Sequence, residues 1–402
     1  MNSIAVKKVG IIILIQGLFF LLTACSGKDS GWGEVITKQV NQPGSLLGVD
    51  SLFVIFIENY HIPGLSLAVS KNGRLVYSKE YGYADFSSKE EITKNSLFRI
   101  GQISQTVTAI AIMKLIQEGK LSPESRVFGD SGILGTKYGT HPFTTNVSNI
   151  TVNELLHHTC GGWSGRDDRV DDPKFRDTSI TREQFLTWTL DNIPLRNIPG
   201  SSYGFSNFGY LVLGRIIEKI SGQSYTDFVK DSILKPIGIS DMQIAGWLGN
   251  KKKNEVTNYK DKYFIRYDAE LDDEFCFPRA DACSGWIASA TDLLKLIDNV
   301  NRFSTHNNIL DSTTMRIMLT SSKANEHFTC GWFLNDDFKN RYYISEHFGQ
   351  TSEIVCAGNG LSWVILVNTS RPADQNYLGE LDQIMWKALD NPAIKWSAKN
   401  AF

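Results

Sequence analysis

The chain predicts an α+β protein: an antiparallel sheet built from both chain ends and flanked by helices, with a mainly helical inserted subdomain. Three observations predict it. A hairpin signal lies near the start, at 65–79 around Asn72-Gly73. Four short apolar strand runs lie near the end, between 330 and 368, while the segment between is carried by helical periodicity and loops. Strands at the two ends form one sheet only by pairing with each other. The α/β part is therefore about 49–120 and 290–402, the insertion about 121–289, and a cleft is expected between them.

Each element has a local cause. Residues 52–60 read as a short helix stopped near Pro63-Gly64. Strand runs 65–69 and 74–79 flank Asn72-Gly73, which accepts positive φ at both turn positions. Over 103–118, Ile103, Val107, Ile110, Ala111 and Leu115 recur with a helical period, and Gly119 is placed to cap the end. Few polar residues interrupt this helix, so it should be buried on most sides. Residues 207–220 repeat the pattern through Leu211, Ile216, Ile217 and Ile220, and 291–300 reads as another amphipathic helix. Strand runs at 330–334, 342–346, 352–357 and 363–368 follow, and 378–389 closes the chain as a helix. No internal repeat or low-complexity stretch is present.

The 402 residues carry a formal net charge of −2, so there is no basic field and nucleic acid is not expected as a partner. Lys7 and Lys8 precede an apolar stretch at 11–24, too short for a membrane helix of about 20 residues and suited to a signal peptide over 1–24. It ends in Leu22-Thr23-Ala24-Cys25, which resembles a bacterial lipobox. That resemblance implies a lipidated Cys25, membrane attachment through it, and residence in the bacterial cell envelope; Ser26 points to the outer membrane. Residues 25–48 then read as a polar tether and 49–402 as the domain. The other cysteines, Cys160, Cys276, Cys283, Cys330 and Cys356, are odd in number and match no zinc spacing. Cys276 and Cys283 are close enough in sequence to bridge in an oxidising compartment. No metal or organic cofactor is expected.

Several stretches carry a family resemblance. They are Ile62-Pro63-Gly64, Tyr81-Gly82-Tyr83-Ala84, Leu97-Phe98-Arg99-Ile100-Gly101 and Leu155-Leu156-His157-His158-Thr159, then Pro199-Gly200 with Phe205-Ser206-Asn207, and His347-Phe348-Gly349. In this order and spacing the chain resembles the serine β-lactamase and penicillin-binding-protein superfamily, especially its class C, carboxylesterase and D-aminopeptidase-like branch. The resemblance implies an attacking serine at a helix N-terminus and a lysine three residues later on the same face. It also implies a tyrosine base from the helical subdomain, a Lys- or His-x-Gly strand, and two backbone N–H groups for the oxyanion.

This chain departs from that pattern where protons are handled. Carried over by position, the serine is Gln102, the lysine Gln105 and the tyrosine Phe205, while Asn207, His347 and Gly349 match. The oxyanion donors would be the N–H groups of Gln102 and Gln350, a notch still able to hold a carbonyl or carboxylate. A glutamine amide does not ionise near neutral pH, and phenylalanine has no hydroxyl. Losing nucleophile or base costs about 10⁶ in turnover in a comparable serine enzyme. The resemblance therefore implies a pseudoenzyme whose old cleft holds a peptide, peptidoglycan-like or small-molecule ligand. Two alternatives remain: a hydrolase using another route, such as water activated by His347, and a structural envelope protein with a collapsed cleft.

Other nucleophiles have plainer readings. Ser104 points roughly 200° away from Gln102 at about 100° per residue. Ser232-Ile233-Leu234-Lys235 is a literal Ser-x-x-Lys but ends against Pro236. Cys160 reads as a buried thiol, adjacent His157 and His158 as structural, and Trp163, Trp286 and Trp332 as core more readily than pocket lining.

Overall fold

A computed structural model describes residues 32–42, 44–163, 177, 179–246, 250–260, 278–301, 308–337, 339–347, 349–371, 374, 376–397 and 402. The expected signal peptide, Cys25, Cys276 and Phe348 lie outside the described residues. The strands are β1 (Gly64–Lys71), β2 (Arg74–Asp85), β3 (Glu90–Glu91), β4 (Phe98–Arg99), β5 (Gln243–Ile244), β6 (Trp286–Ala288), β7 (Phe333–Leu334), β8 (Arg341–His347), β9 (Gln350–Cys356) and β10 (Leu361–Val367). The main sheet has seven strands in the order β3-β2-β1-β10-β9-β8-β7. The two chain ends meet where β1 pairs antiparallel with β10, from Leu65↔Val367 to Lys71↔Leu361. The α+β expectation holds.

Period-two alternation divides the sheet between two cores. Leu65, Leu67 and Val69 of β1 pack with helices α1 (Trp32–Val40) and α2 (Leu47–Tyr60) and with the closing helix, whereas Ala68 faces the opposite core. That second core holds α3 (Ser104–Gln117), α4 (Val152–Leu156), α5 (Arg182–Asn192), α6 (Asn207–Ser221) and α7 (Ala290–Asp298). Helix α3 is buried over most of its surface, as its sequence requires, and Gly119 follows it at φ +69°. The closing helix, α8, spans Tyr377–Leu389 and packs on α2.

Four boundaries differ from expectation. Residues expected as a tether hold α1, whose Ile36 and Val40 are buried and whose Gln39 Oε1 accepts the Gly82 N–H at 2.8 Å. Intervening polar residues hide that stripe in the sequence. Helix α2 starts at Leu47 rather than 52, and β2 continues to Asp85 because Pro63-Gly64 pairs back along it. A small sheet, β4-β6-β5, was too short to show as periodicity; it ties Phe98↔Ala288 and Ile287↔Gln243 across the insertion.

One carboxyl is buried within the main sheet. Glu353 on β9 is fully enclosed and accepts the Trp363 indole N–H at 2.6 Å. Burial pushes its carboxyl up to about 8, with the Trp363 hydrogen bond opposing. The unfolded chain ionises near the ordinary glutamate value of 4.5, so this group's contribution to stability is full below that pH and is lost as pH rises through the folded value. Glu353→Gln keeps the acceptor and removes the charge. Urea unfolding should find it more stable than the parent by about 3 kcal/mol at neutral pH, with the gain fading in acid. An equal gain at both pH values would contradict this.

Candidate active-site cleft

The cleft is built around one close approach. β7 covers only the Arg341–Tyr342 end of β8, leaving the other half against the 3₁₀ turn Gly101–Ile103 that precedes α3. Gly101 has φ +50°, and a Cβ there would lie 2.2 Å from Ser345 Oγ and 2.5 Å from Gln350 Nε2. Only glycine fits. The turn therefore sits directly on β8.

At that contact the Gln102 N–H donates to Ser345 Oγ at 3.1 Å, and the Ser345 hydroxyl donates to Gln102 Oε1. Gln350 Nε2 adds a third bond to Ser345 Oγ at 3.3 Å, and Gln350 Oε1 accepts from Ser352 at 2.6 Å. A hydroxyl offers one proton and two lone pairs, so Ser345 is fully used. Of the two expected oxyanion donors, the Gln102 N–H has Ser345 Oγ as its acceptor, because Gly101 lets the strand's hydroxyl come within reach.

One turn further, Gln105 is fully buried. Its Nε2 donates to Asn207 Oδ1 at 3.0 Å, and its Oε1 accepts from His158 Nε2 at 3.2 Å and the Tyr343 hydroxyl at 3.1 Å. The tautomer follows from the partners, since His158 Nδ1 accepts the Ser206 N–H at 3.0 Å and so leaves the proton on Nε2. Burial, with the neighbouring His157, pulls His158 down to about 3 and keeps it neutral. Phe205 packs against the His158 ring in a tilted arrangement, with centroids 4.6 Å apart. Ser206 caps α6 by accepting the Gly209 N–H at 3.0 Å, which presents Asn207 to Gln105.

The structure thus brings Gln102 to Gln350 through Ser345, Gln105 directly to Asn207, and Gln105 to Phe205 through His158. His347 ends β8 half-buried, and Gly349 follows at φ +70° in the turn to β9. The side chains bonded to Gln102 and Gln105 are hydroxyls, an amide and a neutral imidazole. The His158 lone pair is already occupied, so none of them is an available base. Tyr343 and Ser345 were missed in the sequence, although counting back by twos from His347 along a strand reaches both.

The remaining candidates are structural. Ser104 is buried and accepts the Trp286 N–H at 3.2 Å. Lys235 is exposed and pairs with Asp231 at 2.6 Å. Cys160 is buried, Cys283 is a free thiol, and Trp163, Trp286 and Trp332 lie in the core. His157 has Nδ1 2.9 Å from the Asn153 carbonyl oxygen and Nε2 2.9 Å from that of Thr320, which suits a ring protonated on both nitrogens. Burial alone would lower it, but Cys330 and the two carbonyls outweigh that and raise it to about 9.

The family description "Beta-lactamase" matches residues 49–383, and the chain belongs to the β-lactamase family. Among curated relatives, Protein flp of Staphylococcus aureus (strain N315) is 26% identical over 72% of this chain, and Penicillin-binding protein 4* of Bacillus subtilis (strain 168) is 30% identical over 49%. The alignments span 56% and 41% of those relatives' own lengths. The fold is that of the octameric penicillin-binding protein homologue from Pyrococcus abyssi, with TM-score 0.65 and 23% identity over 85% of this chain and 77% of that one. The D-amino acid amidase from Ochrobactrum anthropi SV3 shares it at TM-score 0.67 and 18% identity, over 86% of this chain and 98% of that one.

Two outcomes follow. Gln105→Leu strands the Asn207 carbonyl, the His158 N–H and the Tyr343 hydroxyl, and should lower unfolding stability by about 3 kcal/mol; a loss below about 1 kcal/mol would contradict the network. His157 is raised in the fold, so its contribution is full below its ordinary value of 6.5 and is lost as pH rises through 9. His157→Gln should therefore destabilise more in mild acid than in alkali, measured as denaturant midpoints.

Proposed function

We propose that this chain is a lipid-anchored protein of the bacterial cell envelope that keeps the β-lactamase fold without covalent serine catalysis, and binds a peptide or peptidoglycan-like ligand in the cleft. One observation carries the reading. The positions of nucleophile and lysine hold amides whose hydrogen bonds close among neutral groups, at Ser345 on one side and at Asn207, His158 and Tyr343 on the other. Attack on a carbonyl needs a nucleophile, a proton acceptor and a vacant oxyanion position. Gln102 cannot attack, Gln105 cannot accept a proton, and Ser345 Oγ takes the Gln102 N–H.

The anchor rests on Leu22-Thr23-Ala24-Cys25 behind a short apolar stretch. Attached acyl chains each contribute about 0.8 kcal/mol per buried methylene, so more than one holds the protein stably. Buried Gln105, Asn207, Gly349 and Gln350 act as scaffold, while half-buried Gln102, Phe205 and His347 meet the ligand. These supply an amide, an apolar ring and an imidazole, which suit a peptide better than a strongly charged group. The Ochrobactrum anthropi amidase is solved with D-phenylalanine, so a peptide containing D-amino acids is the first ligand to try.

Purified protein incubated with a fluorescent penicillin or a fluorophosphonate should show no label on any cleft residue. A D-amino acid-containing muropeptide should bind, and His347→Ala should weaken it, by calorimetric titration. Label mapped to the cleft, or ester turnover abolished by His347→Ala, would overturn the pseudoenzyme reading.

A further inference from the structure

Helix α2 presents an outward strip without charge in its first three turns. At about 100° per residue, Leu47, Ser51 and Ile55 fall within about 80° of one another. Leu47 is 54% and Ile55 48% exposed, two of the four exposed large apolar side chains among the described residues. Ser51 between them turns its hydroxyl onto its own helix, donating to the Leu47 carbonyl at 2.6 Å. The one charge in those turns, Asp50, points inward and accepts from Tyr77 at 2.6 Å and Tyr81 at 2.5 Å. Half-buried Leu52 widens the strip on one flank, and the C-terminal segment borders it, with Ile394 Cγ1 2.9 Å from where a Cβ of Gly48 would lie.

The length of chain outside the described residues says what meets this face. Cys25 lies seven residues before Trp32, so its Cα stays within about 25 Å of the start of α1. Helix α1 packs on α2, whose 14 residues span about 21 Å. A lipid on Cys25 therefore holds the bilayer surface within reach of the apolar strip. We propose that the Leu47–Ser51–Ile55 face of α2 docks on the lipid surface and sets the orientation of the domain on the membrane. This rests on the anchor reading above. The face is too narrow to hold the protein by itself, so its role is orientation: a tether leaves the domain free to rotate, and an apolar strip favours the pose that immerses it.

The test uses the full chain in its membranes, with Leu47→Cys, Ile55→Cys and, on the inserted subdomain, Ile198→Cys at a position 66% exposed. All three are exposed, and a thiol there disturbs no core contact. Gel shift with a maleimide-polyethylene glycol reagent should be several-fold slower at 47 and 55 in membranes than after detergent solubilisation, and unchanged at 198. Equal rates at 47 and 55 in both conditions, with the protein still in the membrane fraction, would overturn the docking face alone. Protection that survives detergent and disappears on dilution would assign the strip to a second copy of the chain and overturn the proposal. Chain recovered in the soluble fraction, or membrane association unaltered by Cys25→Ser, would instead defeat the anchor reading and the orientation with it.

Discussion

The approach of the Gly101–Ile103 turn to strand β8 governs the rest of the cleft. Gly101 has no room for a side chain, so the turn lies against Ser345, and every group at the head of α3 is placed by that contact. In a serine hydrolase of this fold the same proximity would hold an attacking oxygen next to its oxyanion donors. Here it joins an amide to a hydroxyl. Gln102 and Gln350 meet at Ser345, and Gln105 meets Asn207, Tyr343 and a neutral His158; each cluster is rigid because any missing member strands a buried polar group.

Electrostatics explain why the network settles without charge. An ammonium at position 105 would lie fully buried beside the His158 N–H, a donor whose other nitrogen is committed to Ser206. A carboxamide there offers both a donor and an acceptor, and so meets Asn207, His158 and Tyr343 together. The neighbouring histidines diverge for the same kind of reason. Against the pull of burial, His157 is raised by Cys330 and then by two carbonyl oxygens, whereas His158, buried amid aromatic rings and next to His157, is lowered.

Much of the fold was legible because burial imposes period. Asn72-Gly73 fixed the first hairpin, and the apolar stripe of α3 with its following Gly119 was unmistakable. Helix α1 was not, since only Ile36, Gln39 and Val40 face the sheet and the residues between them are polar. The small β4-β6-β5 sheet was invisible because two- and three-residue strands carry no alternation. Within the site, Gln102, Gln105, Phe205 and Asn207 could be placed by motif, but their partners could not. Ser345 and Tyr343 lie more than 200 residues away in sequence, and only the pairing of β8 against the turn brings them in.

The central claim is that no side chain bonded to Gln102 or Gln105 is an available base, and the protonation of His158 tests it most directly. Nitrogen-15 shifts of a histidine-labelled sample report both ring nitrogens separately. The account predicts a neutral His158 ring with the proton on Nε2 and no titration from about pH 5 upward. A His158 ring that titrates near neutrality, or that carries its proton on Nδ1, would place a free base beside Gln105 and contradict it.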